Sequence, residues 1–209
     1  MSGSLFDRHG VRKYLTARER CAFVCAAHRE GGEVATFCLT LAFTGARISE
    51  LLALTRDRVD VANGSIAFET LKRRRRGVFR VLPVPPMLLA TLRRTHKLDA
   101  PNHDPKARLW KWGRTTAWKR VKHIMKRAKV GNIQAMPKAA RHGFGVDAIQ
   151  NSVALNVVQR WMGHARIETT AIYADVIGKE ERALAKRTWK SLEAGLRRAE
   201  CAYSGNMST

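Results

Sequence analysis

The chain has 209 residues, 45% of them hydrophobic, and carries 39 lysines and arginines against 17 acidic residues, which gives a formal net charge of +22. This hydrophobic fraction supports a real core and excludes a chain that is disordered throughout, while the charge excess indicates a polyanionic partner, with nucleic acid favoured over membrane. The sequence has no apolar run of about 18 residues and no signal-peptide core, so it predicts a cytoplasmic protein without a membrane partner.

The first half of the chain is predicted to be mainly helical. The first dozen residues indicate a loose lead-in, and Thr16 followed by Glu19 is a capping-box pattern that starts a helix near residue 17. The nearly all-apolar stretch EVATFCLTLAF predicts a buried helix that ends at the Thr44–Gly45 step, and ARISELLAL then resumes helical spacing.

The hydrophobic period changes after Asn63–Gly64. Apolar residues at 66–68 and 78–84 predict two strands joined by a very basic turn, LKRRRRG, and Pro85–Pro86 then opens a helix. A polar, irregular stretch precedes an amphipathic helix over about 118–129. The remaining helical patterns cover about 138–150, 154–162, 168–175 and 179–199.

The four cysteines form no recognisable metal or disulfide pattern. They show no CxxC spacing and no matched histidine pair, and they are too few to frame a domain of this size. Cys21, Cys25 and Cys38 are therefore interpreted as reduced packing residues, and no metal site is predicted.

Arg47 stands in unusual surroundings. It closely follows Gly45 at the start of an apolar helix, where the helix dipole disfavours a cation, so an anionic partner is expected. That partner is either Glu50, three residues further on, or a phosphate, in which case Glu50 orients the guanidinium.

Three further polar residues lie in two short stretches in the second half of the chain. Arg141 lies in PKAARHGFGV, among small residues that let another backbone or a ligand approach. His164 follows the expected helix end at Gly163, and Tyr173 is one of three tyrosines in the chain. Spacing alone does not decide between a phosphoryl-transfer site and scattered structural residues.

Four stretches together resemble, in order and spacing, the catalytic domain of the tyrosine recombinase (phage integrase) family: TGARISELLAL, a basic hairpin closing on VLPVP, KAARHGFGVDAIQ and VVQRWMGHARIETTAIYADV. The resemblance implies a mixed α+β fold that is mainly α-helical with a small three-stranded antiparallel sheet. It also implies a lead-in segment at 1–12, a catalytic domain at 13–200 and a tail at 201–209.

The resemblance assigns a role to each matched residue. Tyr173 would be the nucleophile that attacks a DNA phosphodiester, forms a 3′-phosphotyrosyl bond and releases a 5′-hydroxyl. Arg47 and Arg141 would clamp the non-bridging oxygens, His164 would donate a hydrogen bond to the same phosphate, and Lys72 would be the general acid. Because these cations substitute for a metal, no Mg²⁺, ATP or other cofactor is expected.

The sequence departs from the family pattern in several places. Lys138 stands three residues before Arg141, where histidine is common; it can contact the phosphate, and the base for the tyrosine is left open. His142, directly after Arg141, is assigned a structural or indirect role, and Lys72 is followed at once by four arginines. The usual N-terminal DNA-binding domain is missing from the pattern, so weak DNA binding or an accessory protein is expected.

Further basic residues are predicted to contact DNA. They lie in the hairpin turn and on the polar face of the helix at about 118–129: Arg73, Arg74, Arg75, Arg76, Lys119, Lys122 and Lys126. Trp110, Trp112 and Trp118 are close enough in sequence to suggest base stacking, although core packing is preferred for Trp118. The last amphipathic segment resembles the family helix that docks into a neighbouring protomer, which implies a dimer or tetramer on DNA.

The resulting prediction is a site-specific recombinase or integrase that acts on double-stranded DNA. Two alternatives stay open. A type IB topoisomerase shares the chemistry but relaxes DNA as a monomer, and a DNA-binding accessory or regulatory protein derived from a recombinase keeps only the basic surface. Relaxation of a plasmid without a target site supports the first alternative, and a function indifferent to Tyr173→Phe supports the second.

Overall fold

The computed structural model describes residues 5–70, 77–101, 104–131 and 134–174, together with the short pieces 185–186, 189–190 and 193–196. The chain divides into two compact units, Met1–Ala174 and Asp175–Thr209. In the second unit the described pieces are helical, and the rest of the amphipathic segment expected at 179–199 lies outside the described residues. Lys72 and the four arginines after it also lie outside them.

Residues 5–13 form a small antiparallel turn, more ordered than the loose lead-in predicted from the sequence. The Lys13 amide donates to the Leu5 carbonyl at 2.7 Å, and Phe6 pairs with Arg12. Leu5 is buried, which gives this segment an apolar anchor.

Three helices build the N-terminal half: α1 (Ala17–Glu30), α2 (Gly32–Thr44) and α3 (Ile48–Leu52). The predicted capping box starts α1, with the Glu19 amide donating to Thr16 Oγ1. Helix α2 is buried on nearly all sides between α1, α4 (Pro86–His96) and α6 (Pro137–Gln150). Its threonines tolerate this burial because their hydroxyls donate to backbone carbonyls of the same helix.

The predicted hairpin lies in a three-stranded antiparallel sheet, ordered β1 (Val59–Asp60), β2 (Ser65–Glu69) and β3 (Phe79–Pro83). The strands alternate between a buried and a more exposed face, and the register pairs Ile66 with Leu82 and Phe68 with Arg80. A charged side chain therefore sits on the buried face of β3, which matters for the site described below.

The remaining helices of the first unit carry most of the site. They are α5 (Arg114–Arg127), the already introduced α6, α7 (Leu155–Met162) and α8 (Glu168–Ala171). Helix α6 packs against α2 and α7, and α7 packs against β3 and α8. The sequence prediction of a helix over 168–175 was too long, since α8 ends at residue 171 and turn residues follow.

Tryptophan placement differs from the sequence prediction. Trp110 is fully buried, lies edge-on to Phe37 with ring centroids 5.0 Å apart, and donates to the Glu33 carbonyl at 3.1 Å. Trp118, for which core packing was preferred, is instead exposed, with Lys122 Nζ 4.8 Å from its ring centroid. The error arose because a helix of this period buries Ala117 and Val121 and turns residue 118 outward.

Cys21, Cys25 and Cys38 are all free thiols, as predicted. The prediction that they pack in the core is correct for Cys38, which is buried, and wrong for Cys21 and Cys25, which are exposed on α1. None of the described helices is long and apolar enough to cross a bilayer.

Candidate active site

Five side chains from distant parts of the sequence meet in the first unit. Arg47 precedes α3, Arg141 and His142 are neighbours on α6, His164 follows the end of α7, and Tyr173 follows α8. The packing of α6 on α2 and α7 brings these segments together. The structure thus assembles four of the residues that the sequence predicted as catalytic and one, His142, for which a structural or indirect role was predicted.

Tyr173 lies between two histidines. It is 1% exposed, and its Oη lies 3.1 Å from His142 Nδ1. The His164 ring stacks on the tyrosine ring with 17° between the planes and 6.2 Å between centroids. Gly145 leaves room for the tyrosine, because a Cβ at this position would lie 2.7 Å from the Tyr173 ring. His142 therefore contacts the hydroxyl of the predicted nucleophile, and its structural or indirect role stays a prediction.

Burial and the neighbouring cations shift the pKa of Tyr173 in opposite directions. Burial raises the pKa of its phenol to about 12, although the charges of Arg141 and Arg47 act to lower it. The hydroxyl is therefore protonated at neutral pH, and its proton must leave before or during any nucleophilic attack.

Arg141 is buried and held by backbone carbonyls. Nη1 donates to the Gly45 carbonyl at 2.5 Å and Nη2 to the Met162 carbonyl at 2.6 Å, so the guanidinium joins the end of α2 to the end of α7. Burial, reinforced by the charge of Arg47, lowers the pKa of Arg141 to about 9. The group still carries its charge at neutral pH, and neither carbonyl partner neutralises it.

Arg47 is held by a carboxylate instead. Glu50 is buried and accepts from Arg47 Nη1 and from the Arg47 backbone amide, each at 2.8 Å. It also accepts from the buried Arg80 Nη2 at 2.7 Å. Burial by itself raises the pKa of Glu50, but the charge and hydrogen bond of Arg80, together with the Arg47 amide, outweigh it and the net shift is downward.

Arg80 belongs to the hydrogen-bond network of the site and was not predicted from the sequence. Its Nε donates to the Trp161 carbonyl at 2.8 Å and its Nη1 to Thr70 Oγ1 at 3.3 Å, so it ties β3 to α7. A signal for it exists in the sequence, because residue 80 shares the strand face of the apolar residues 82 and 84. An arginine on that face requires a buried anion, and Glu50 supplies it.

His164 is neutral and oriented by Thr170. Burial, followed by the charges of Arg141 and Arg47, lowers the pKa of His164 to about 3. Its Nδ1 lies 2.9 Å from Thr170 Oγ1, and Thr170 is fully buried. When the threonine hydroxyl donates to Nδ1, Nε2 carries the hydrogen and is free to act as a donor. Thr170 was also missed, since a threonine in a short helix gives no distinctive pattern.

A cleft of about 300 Å³ opens beside this cluster, between the end of the hairpin and α7. Its walls carry polar side chains from both elements: Thr70, Arg80, Asn156, Gln159, Arg160 and His164. A space of this size with donors on both sides can accept a phosphate group.

The other predicted basic residues are more dispersed. Lys138 is exposed on α6, and its charge acts on His142. Lys119, Lys122 and Lys126 are exposed together on α5. Among the described residues, no group of three or more histidine, cysteine, aspartate or glutamate side chains is placed to hold a metal ion.

Comparison with known proteins gives a consistent match. The model of the Phage integrase family matches residues 13–180. Tyrosine recombinase XerA of Pyrococcus furiosus is 28% identical over 155 residues, which cover 71% of this chain and 52% of that protein. Tyrosine recombinase XerA of Pyrococcus horikoshii is 31% identical over 150 residues, which cover 69% of this chain and 50% of that protein. The chain therefore spans about half the length of these curated relatives.

Solved structures share the fold. The crystal structure of XerA recombinase has a TM-score of 0.69 at 22% identity, and the match covers 84% of this chain and 64% of the XerA chain. XerH site-specific recombinase bound to difH substrate has a TM-score of 0.66 at 19% identity, and the match covers 88% of this chain and 59% of the XerH chain. The predicted fold class is confirmed, and because the family match covers most of the sequence, the chain belongs to the phage integrase family.

Proposed function

We propose that the chain cleaves and rejoins DNA strands at specific sites by transesterification through Tyr173. The observation that carries this proposal is the convergence of four residues from four separate segments beside a polar cleft. Arg141, His164 and Tyr173 are buried, and Arg47 is half-buried. A tyrosine placed only for core packing would not require two guanidinium groups whose charges act on its hydroxyl.

The first step breaks one phosphodiester bond and forms another. Tyr173 Oη attacks the phosphorus, the bond from phosphorus to the 5′ oxygen breaks, and the DNA is left with a 3′-phosphotyrosyl bond and a free 5′-hydroxyl. The guanidinium groups of Arg47 and Arg141 hold the non-bridging oxygens, where negative charge builds in the transition state. Rejoining reverses the step with a 5′-hydroxyl of another strand, because the phosphotyrosyl bond conserves the energy of the original bond.

Proton transfers complete the chemistry. His164 donates from Nε2 to the phosphate, with Thr170 fixing its tautomer. Lys72, which lies outside the described residues, gives a proton to the leaving 5′ oxygen. Lys138 adds an exposed cation that can contact the phosphate but, being charged, has no lone pair to accept a proton.

Double-stranded DNA is the proposed partner. Several copies of the chain bind it as a dimer or tetramer, with an accessory protein as a further component. The net charge of +22 supports a polyanion, and the exposed lysines of α5 offer a basic face for its backbone. Among structural relatives, XerH is described in complex with its difH substrate and the Tn1549 integrase in complex with transposon end DNA.

The test uses nicked duplexes drawn from the DNA that flanks the gene, designed so that cleavage frees a short fragment and traps the enzyme. The wild type is expected to form a protein–DNA adduct that survives denaturing electrophoresis. Tyr173→Phe should bind the same duplexes with unchanged affinity and form no adduct. An adduct in both proteins would overturn the assignment of Tyr173, and binding without any adduct in the wild type would favour a DNA-binding regulatory protein.

A further inference from the structure

The proposed mechanism needs an acceptor for the proton of Tyr173, and the sequence left that acceptor open. The tyrosine hydroxyl is protonated at neutral pH, and a phenol is a weak nucleophile until its proton leaves. Lys138, at the position where the family often has histidine, is exposed and charged, so it lacks the free lone pair that a base requires.

The adjacent helix supplies a better-placed group. His142 Nδ1 lies 3.1 Å from Tyr173 Oη, within the range of a hydrogen bond between a general base and its proton donor. Both side chains are buried, and their rings are tilted by 55° with centroids 5.8 Å apart, so they are not stacked. Because a phenol is a stronger acid than a neutral imidazole N–H, the hydroxyl donates and Nδ1 accepts.

We propose that His142 is the general base that takes the proton of Tyr173 during strand cleavage. This inference rests on the proposed function of the site. It makes His142 a catalytic residue, since its nitrogen touches the reacting hydroxyl, and it leaves Lys138 as a phosphate contact.

The surroundings keep this histidine neutral. Burial, followed by the charges of Lys138, Arg141 and Lys13, lowers the pKa of His142 to about 4. The groups that face it are those three cations, Tyr173 and His164, the last a neutral ring at neutral pH. A free lone pair is therefore present at any pH at which DNA is normally handled.

The same cations prevent the proton from moving before DNA arrives. With no phosphate bound, an imidazolium beside Lys138, Arg141 and Lys13 is unfavourable, so the tyrosine keeps its proton. A DNA phosphodiester brings negative charge into this group of cations, which raises the proton affinity of His142 just when the nucleophile must be activated. The arrangement couples activation of the nucleophile to occupation of the site.

The step balances. The proton of Tyr173 Oη passes to His142 Nδ1 as the bond from Oη to phosphorus forms, and the bond from phosphorus to the 5′ oxygen breaks with both electrons staying on that oxygen, which is protonated by the general acid. In the rejoining step the imidazolium returns its proton to Oη as the phosphotyrosyl bond breaks.

The decisive experiment measures adduct formation by wild type and His142→Asn on the nicked duplexes. Asparagine keeps a polar oxygen near the position of Nδ1 but cannot take up a proton. The variant should cleave on the order of 10²- to 10⁴-fold more slowly at neutral pH. Its rate should rise about tenfold per pH unit as hydroxide replaces the base, whereas the wild-type rate should stay flat between about pH 6 and pH 8.

A second substrate separates the role of His142 as general base from the role of the general acid. A duplex with a sulfur atom in place of the leaving 5′ oxygen needs no proton donor, so it should rescue variants that lack the acid and leave the His142→Asn defect unchanged. His28→Asn, which changes an exposed histidine on α1, is the matched control and should behave as wild type. Thermal unfolding and DNA affinity should be equal for all three proteins.

Three results would overturn the proposal while the wild type still forms its adduct: an unchanged rate and pH profile in His142→Asn, rescue of the variant by the sulfur substrate, or faster cleavage, which would make the contact a restraint on the tyrosine. An absence of wild-type adduct would overturn the proposed function itself. Imidazole ¹⁵N chemical shifts of the wild-type protein provide a test that needs no folded variant, because Nδ1 of His142 must be the unprotonated nitrogen.

Discussion

Positive charge is held in two different ways in this molecule. At the site, Arg47, Arg80 and Arg141 are fixed by hydrogen bonds to a carboxylate or to backbone carbonyls. On α5, Lys119, Lys122 and Lys126 are exposed. The first group has lost its rotamer freedom during folding, so it can direct charge at one phosphate; the second can only attract a polyanion.

A further difference separates the two arginines that the sequence treated as equivalent. Arg47 shares the buried carboxylate of Glu50 with Arg80, so part of its charge is balanced within the protein. Arg141 has carbonyl partners that carry no net charge. The larger unbalanced charge, and hence the stronger pull on a phosphate, belongs to Arg141.

Substitution of Arg141 should therefore have the largest effect. Arg141→Lys cannot reach both carbonyls and the phosphate at once, and adduct formation should fall on the order of 10²- to 10³-fold. Arg47→Lys should lose less, because lysine can still pair with Glu50. Single-turnover cleavage of the nicked duplexes measures both, and equal losses would remove the distinction drawn between the two arginines.

Glu50 should matter mainly for folding. Glu50→Gln leaves the buried Arg80 without its anion, and the free energy of unfolding should drop by about 3 kcal/mol. Because the folded-state pKa of Glu50 is lowered, its contribution is present above the unfolded-state value and is lost as pH falls through the folded-state value. The difference between variant and wild type should therefore shrink in acid.

Denaturant unfolding at neutral and acidic pH measures this, with Glu69→Gln as the matched control. Glu69 also pairs with an arginine, but at 3.5 Å and with both side chains partly exposed, so its loss should cost well under about 1 kcal/mol. Similar losses for Glu50 and Glu69 would show that burial does not set the value of these ion pairs.

Much of the fold was predictable because local patterns and burial agree. The capping box of α1, the apolar run of α2 and the alternation of the hairpin each specify one kind of element. The prediction failed where one residue decided the outcome, as at Trp118, since a shift of one position along an amphipathic helix changes the face by 100°.

The principal residues of the site were predictable from the sequence, but most of the contacts that orient them were not. Arg47, Arg141, His164 and Tyr173 were identified through the family pattern. Of the partners that orient them, only Glu50 was predicted, as the carboxylate beside Arg47. Arg80 lies on a strand far from Glu50 in sequence, and the contact of His142 with the tyrosine depends on how α6 and α8 both pack against α7. Hydrogen bonds between segments that are distant in sequence arise from tertiary packing. Spacing can indicate that a residue such as Arg80 is buried, but it does not specify the partner of that residue.

The smallest effect on the chemical step is expected from the exposed cations. Changing Lys119, Lys122 and Lys126 together to alanine should weaken DNA binding roughly tenfold and lower the slope of log affinity against log salt by up to about 2.7, which corresponds to three lost phosphate contacts. Cleavage at saturating DNA should be unchanged, because these side chains do not orient the reacting groups.

Fluorescence anisotropy over a salt series, paired with single-turnover cleavage, measures both quantities. Lys106→Ala is the matched control, since that ammonium is already paired with Asp57 at 2.6 Å and its removal should alter the slope little. An unchanged slope in the triple variant would remove α5 from the DNA interface. A loss of cleavage that persists at saturating DNA would mean that the solvated lysines also position the phosphate, and the contrast between anchored and solvated charge would then fail.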